Sequence, residues 1–175
     1  SVTPIRLGFA YDSAPGTQRI WDRGLQRMAG TLLIGYDVEW LDAGDVTVPF
    51  LQQAQNLHNA LNAPATMFLV GLTLERWVPE FRRIAADPLF DIQQHTWSHR
   101  LLKTVHMDDG KSVRVVRGIP LPEIRTEVLR TSDLIRNVLG KEVTGITGPY
   151  NYYRGLRDRP EILETLYECG IRFTR

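Results

Sequence analysis

Phe90-Asp91-Ile92-Gln93-Gln94-His95-Thr96-Trp97-Ser98-His99 decides how the rest of the chain is read. A short alternating segment ends at Gln94, and two histidines four positions apart follow at once. Alternation is the signature of a strand, so the pair is expected at a strand end. Two neutral imidazole nitrogens converging from one tight segment suit a divalent transition metal such as zinc. Such an ion needs at least one more protein ligand and keeps a position open for chemistry. The spacing alone is weak: with four histidines in the chain, chance supplies such a pair in about one protein in ten. The alternative reading is two satisfied polar residues at a strand end.

Outward from this stretch, strands and helices alternate. Thr31–Trp40 has a dense apolar start that suits a strand buried on both faces, and its end turns acidic. Asp45 or Thr47 is the candidate cap of a helix with Pro49 in its first turn and Leu51, Ala54, Leu57 and Leu61 as its stripe. Asn62 and Pro64 end it, and Ala65–Gly71 reads as a second buried strand. Thr73 is a candidate cap for one helix carrying Leu74, Trp77, Val78, Phe81 and Ile84, terminated by Asp87-Pro88.

Beyond the histidines, Asp108-Asp109-Gly110-Lys111 followed by Val113, Val115 and Val116 suggests an inserted hairpin. Pro122 opens a helix with Ile124, Val128, Ile135, Val138 and Leu139 inward and Gly140 at its end. Val143–Pro149 reads as a strand, Pro160–Gly170 as a helix and Ile171–Thr174 as one more strand. Upstream, Ile5–Ala10 alternates like a strand, and Trp21, Leu25 and Met28 recur at helical spacing.

Strands separated by helices argue for an α/β fold with a parallel sheet, open or closed into a barrel. A full eight-unit barrel takes roughly 250 residues, so 175 residues hold about five or six units. In either form, ligands belong at the C-terminal ends of the strands, where Glu39 and His95 both fall.

The composition, 43% hydrophobic and 23% charged, is that of a globular domain. A net charge of +1 gives no field that would draw nucleic acid. The single cysteine, Cys169, forms no disulfide framework and reads as a small core residue. No membrane span or signal peptide is visible, which leans towards the cytoplasm and leaves the compartment open.

Hydrolysis of an amide by a metal-activated water needs one acidic group on the metal and a second, unligated, to take the proton. Asp37 and Glu39 meet those needs, and an exposed strand edge is the alternative reading of the same residues.

Tyr36-Asp37-Val38-Glu39 resembles the first motif of the polysaccharide deacetylase (NodB-homology, carbohydrate esterase family 4-like) family, in its Asp-x-Asp/Glu branch. His95-Thr96-Trp97-Ser98-His99 resembles its His-Ser/Thr-x-x-His motif, Ala65–Gly71 its Ala-Thr-Phe-Phe-Val-x-Gly strand, and Gly148-Pro149-Tyr150-Asn151 its Pro-Tyr-Gly motif. The resemblance implies an irregular (β/α) barrel, with residues 31–175 as a core lacking its last strands and residues 1–30 as an extension. It implies Glu39, His95 and His99 as ligands of a divalent metal, zinc first and cobalt, nickel or manganese as alternatives. Asp37 would be the catalytic base, and the Tyr150 amide a donor to the oxyanion. The implied activity is hydrolysis of N-acetyl or other N-acyl groups on an amino sugar or glycan. The alternatives are another metal amidohydrolase, on a cyclic amide or formamide, and a non-catalytic glycan-binding homologue.

Three departures stand out. Ala10–Pro15 also imitates the first motif, but Ser13 would replace the ligand carboxylate. Thr147 stands where the family has an arginine that orients the base, so Arg154 or Arg157 is expected to substitute, or the base is held differently. The histidine that protonates the leaving amine is expected beyond Arg175, and the unfinished strand edge there is expected to favour self-association. His58 and His106 receive no role. Tyr150, Tyr152 and Tyr153 divide between sugar stacking and packing, and Trp97 between site wall and core.

Overall fold

A computed structural model of the chain describes residues 32–39, 44–108, 110–150, 152 and 154–175. The expectations for Ile5–Ala10, Ala10–Pro15, the Trp21–Met28 helix and Tyr153 lie outside them. Within the unit Ile34–Arg175, strands β1 (Gly35–Val38), β2 (Ala65–Leu69) and β3 (Phe90–Gln94) precede β6 (Gly145–Ile146) and β7 (Phe173–Thr174). These form one parallel sheet in the order β1-β2-β3-β6-β7. Helices α1 (Gly44–Leu61), α2 (Gly71–Arg76), α3 (Val78–Ala86), α4 (Leu121–Leu139) and α5 (Pro160–Glu168) make the crossovers that parallel strands require. A separate antiparallel hairpin, β4 (Val105–Asp108) and β5 (Val113–Val116), lies between β3 and α4 as expected. Among the described residues no helix is long and apolar enough to cross a membrane.

The sequence reading needs correcting in three places. Strand β1 is only half-buried at Gly35, Tyr36 and Asp37, so it is not buried on both faces, and among the described residues it pairs only with β2. Leu32 and Leu33 lie outside it and are exposed. Thr47 lies inside the first turn of helix α1 rather than before it and so does not cap it, and the Asp45 side chain lies outside what the structure describes. Its buried stripe is Thr47, Leu51, Ala54 and His58, while Leu57 and Leu61 face solvent. His58 can take a core position because both ring nitrogens are satisfied, Nδ1 by the Ala63 carbonyl at 2.6 Å and Nε2 by the Tyr36 hydroxyl at 2.9 Å. The single helix expected from Thr73 to Asp87 is two, broken at Trp77. Pro79, in the first turn of α3, lacks the N–H that a continuous helix would donate to the Glu75 carbonyl, and the chain breaks two residues before it at Trp77, with φ of −123° and ψ of 37°.

Register places the site. Val38, Leu69, Gln94, Ile146 and Thr174 share one row across the sheet. The next residue of each strand continues the ladder: Val70 N to Val38 O at 3.1 Å, His95 N to Leu69 O at 2.8 Å, Thr147 N to Gln94 O and Arg175 N to Ile146 O at 3.2 Å each. Glu39, His95, Thr147 and Arg175 therefore stand in one row at the C-terminal ends, and Asp37 shares their face two residues back. In a flat sheet β1 and β7 would lie about 19 Å apart, too far for one arginine side chain. Arg175 nevertheless reaches β1, with Nη2 2.8 Å from Asp37 Oδ2. The sheet is therefore curled into a half-barrel, and its row of strand ends converges.

Candidate metal centre

Glu39, His95 and His99 each offer a ligand atom, and the three atoms lie within 4.8 Å of one another. Glu39 Oε2 is 3.0 Å from His95 Nε2 and 2.7 Å from His99 Nε2. His95 is 1% exposed, with Nδ1 2.8 Å from the Thr147 carbonyl and 2.5 Å from its hydroxyl. A carbonyl can only accept, so Nδ1 carries the ring proton and Nε2 presents a lone pair. That lone pair faces a carboxylate oxygen, acceptor against acceptor, an arrangement that a cation between them relieves.

His99 points the same way. Its Nε2 is buried and has no aligned hydrogen bond, in spite of its 2.7 Å approach to Glu39. Burial, followed by the neighbouring His95, pushes its pKa below the usual histidine value; Glu39 opposes this only in part. The neutral ring, which can bind a metal, is the favoured form. Two imidazoles and one carboxylate form a recognised zinc set that leaves a position open, so the residues present fit such an ion.

The loop between the histidines is held by its surroundings. Thr96 and His99 have φ of 66° and 58°, left-handed values that cost about 1–3 kcal/mol each. The first amides of α2 donate to this loop, Gly71 N to Thr96 O at 2.9 Å and Leu72 N to Trp97 O at 3.0 Å. Thr96 Oγ1 accepts from His99 N at 3.2 Å. Glu127, on the buried face of α4, accepts from Ser98 N at 2.8 Å and Ser98 Oγ at 2.7 Å. Trp97 is core, 7% exposed, packed against Gly71 with the Arg130 guanidinium 3.5 Å from its ring centroid.

Asp37 lies outside this trio. Thr147 Oγ1 donates to its Oδ1 at 2.9 Å and Arg175 Nη2 to its Oδ2 at 2.8 Å. The guanidinium on Asp37 is thus that of Arg175, from the end of β7, and not that of Arg154 or Arg157. Tyr150 has φ of 70° and places its ring 5.0 Å from that of His99, with 58% of the residue exposed. Tyr152 serves packing: its hydroxyl accepts from Leu102 N at 2.7 Å, and Lys103 Nζ sits 5.4 Å from its ring centroid. His106 is exposed on the hairpin and is not part of this cluster. Cys169 is buried, which raises its thiol pKa.

The profile of the polysaccharide deacetylase family matches residues 32–174. The chain belongs to that family. Solved structures agree on the fold of this deacetylase-family chain. A CE4 family pseudoenzyme from Bacillus anthracis superposes with a TM-score of 0.61 at 16% identity, over 81% of this chain and 41% of that one. A peptidoglycan N-acetylglucosamine deacetylase gives 0.57 at 21% identity, over 81% and 54%. A putative polysaccharide deacetylase from Mycobacterium smegmatis gives 0.58 at 17%, over 81% and 49%. The chain thus spans about half, or less, of each of these structures. No curated protein sequence matches it.

Proposed function

We propose that the chain carries the centre of a metal-dependent deacetylase that hydrolyses N-acetyl groups on an amino sugar of a glycan. One observation carries this reading. A three-donor set at the strand ends is accompanied by a second carboxylate, Asp37, on the same strand and face as Glu39 but tied down outside the set. Family membership supports the same reading.

Glu39, His95 and His99 would hold the ion, zinc before cobalt, nickel or manganese. When bound, a divalent ion supplies an electrophile for the acyl oxygen and makes water more acidic. Asp37 takes the water's proton as general base, its carboxylate kept from the ligand set by Thr147 and Arg175. The Tyr150 amide donates to the acyl oxygen as it gains charge. The exposed Tyr150 ring, adjoining His99, offers the flat apolar surface on which a sugar face stacks.

The test is acetate release from N-acetylglucosamine oligomers by the zinc-loaded protein, beside Asp37→Asn. Expected is release by wild type and a loss of about 10²- to 10⁴-fold in the variant with zinc retained. Zinc lost together with activity would make Asp37 a ligand. Hydrolysis of a cyclic amide or formamide instead of the sugar would move the substrate class, and sugar binding without release would mark a glycan-binding homologue.

A further inference from the structure

Both oxygens of Asp37 are engaged, and by partners on different strands. Thr147 at the end of β6 holds Oδ1, and Arg175 at the end of β7 holds Oδ2. The second guanidinium nitrogen of Arg175, Nη1, donates to the Gly35 carbonyl at 3.3 Å, and the guanidinium carbon lies 5.3 Å from the Phe68 ring centroid. Arg175 thus grips the β1 backbone and the Asp37 side chain with one rigid fork. A carboxylate rotates easily about its last torsion. Two donors arriving from separate strands remove that freedom.

Thr147 does a second thing. Its hydroxyl has one proton, which it donates to Asp37 Oδ1 at 2.9 Å. At 2.5 Å from His95 Nδ1 the same hydroxyl oxygen then accepts beside the Thr147 carbonyl, a second acceptor that reinforces the ring proton on Nδ1 and the lone pair on Nε2. We infer that Arg175 and Thr147 are the positioning residues of the base, and that Thr147 couples the aim of Asp37 to the tautomer of His95. The inference rests on Asp37 being the base, as proposed above. It gives Thr147, which stands where an arginine was expected, a task that an arginine could not perform, since a guanidinium cannot accept a hydrogen bond.

The experiment measures zinc content, kcat and KM on N-acetylglucosamine oligomers for Arg175→Ala, Arg175→Lys, Thr147→Val and Thr147→Ser in the full chain. A misplacement of about 1 Å in a reacting group costs about 10²-fold, so Arg175→Ala should lose about that factor in kcat with KM and zinc unchanged. Added guanidinium should restore Arg175→Ala at least in part and leave Thr147→Val unaffected. Thr147→Val keeps the shape and the backbone carbonyl on His95 but lacks the hydroxyl, so its kcat should fall while Thr147→Ser stays near wild type. Wild-type kcat in both Arg175→Ala and Thr147→Val overturns the inference, as does loss of activity only in step with loss of zinc or of folded protein. Wild-type protein that releases no acetate instead removes the deacetylase reading on which the inference stands.

Discussion

Replacing Glu127 by alanine should loosen the histidine loop from behind without touching a ligand. Glu127 is 9% exposed and accepts two hydrogen bonds from Ser98, at 2.8 Å to N and 2.7 Å to Oγ. A hydrogen bond to a charged group contributes about 1.5–3 kcal/mol net, and two bonds that share one carboxylate do not add in full. The expected loss in unfolding free energy is therefore about 3 kcal/mol. Glu127→Gln keeps one acceptor oxygen but turns an NH₂ towards the other donor, and should lose about half as much. The consequence at the site follows from Thr96 and His99, whose left-handed φ values of 66° and 58° persist only while the loop is held. Once released, they relax and carry His99 away from Glu39, and zinc affinity should fall by about 10- to 100-fold. Urea unfolding of the metal-free protein gives the first number, and competition against a chromophoric chelator gives the second. Both variants unfolding within about 0.5 kcal/mol of wild type, with zinc affinity unchanged, would show that Glu127 does not hold the loop.

Two further outcomes follow from packing and protonation. A Cβ on Gly71 would lie 2.4 Å from Trp97 Cε3, so Gly71→Val should destabilise the fold by about 1–3 kcal/mol and weaken zinc binding by displacing the residue between the two histidines, read by thermal melting and chelator competition. Burial pushes the Tyr152 hydroxyl up from the usual 10.0 to about 12, because the fold favours its neutral form. Its contribution is therefore complete below pH 10 and drains away as pH rises towards 12. Urea midpoints measured between pH 9 and 12 should fall less steeply for Tyr152→Phe than for wild type, and equal slopes would reject the assignment.

Periodicity carried the fold wherever side chains of one kind repeat. The β3 strand, the hairpin and α4 with its Gly140 end are legible in this way. The errors came where polar groups do apolar work or where a proline intervenes. His58 occupies a core position because two partners satisfy its ring, and no hydropathy pattern marks such a residue. Pro79 split a stripe that is continuous in apolar content. That Glu39, His95 and His99 gather in one place was legible because motif spacing and strand ends coincide at Glu39 and His95. Its support was not: Arg175 reaches Asp37 only because the sheet curls, a property of all five strands together. A signal was nevertheless present in Glu127, an acid on a helix face whose neighbours Ile124, Val128 and Thr131 are all buried. Such a side chain must be answered by donors from another element.

Glu39, His95 and His99 are proposed to hold a metal ion, and their ligand atoms are close enough to do so. Elemental analysis of the purified protein after zinc loading and exhaustive dialysis, for wild type, His95→Ala, His99→Ala and Asp37→Asn, tests it most directly. About one zinc per chain is expected in wild type and Asp37→Asn and essentially none in either histidine variant. Equal zinc in wild type and both histidine variants would contradict it.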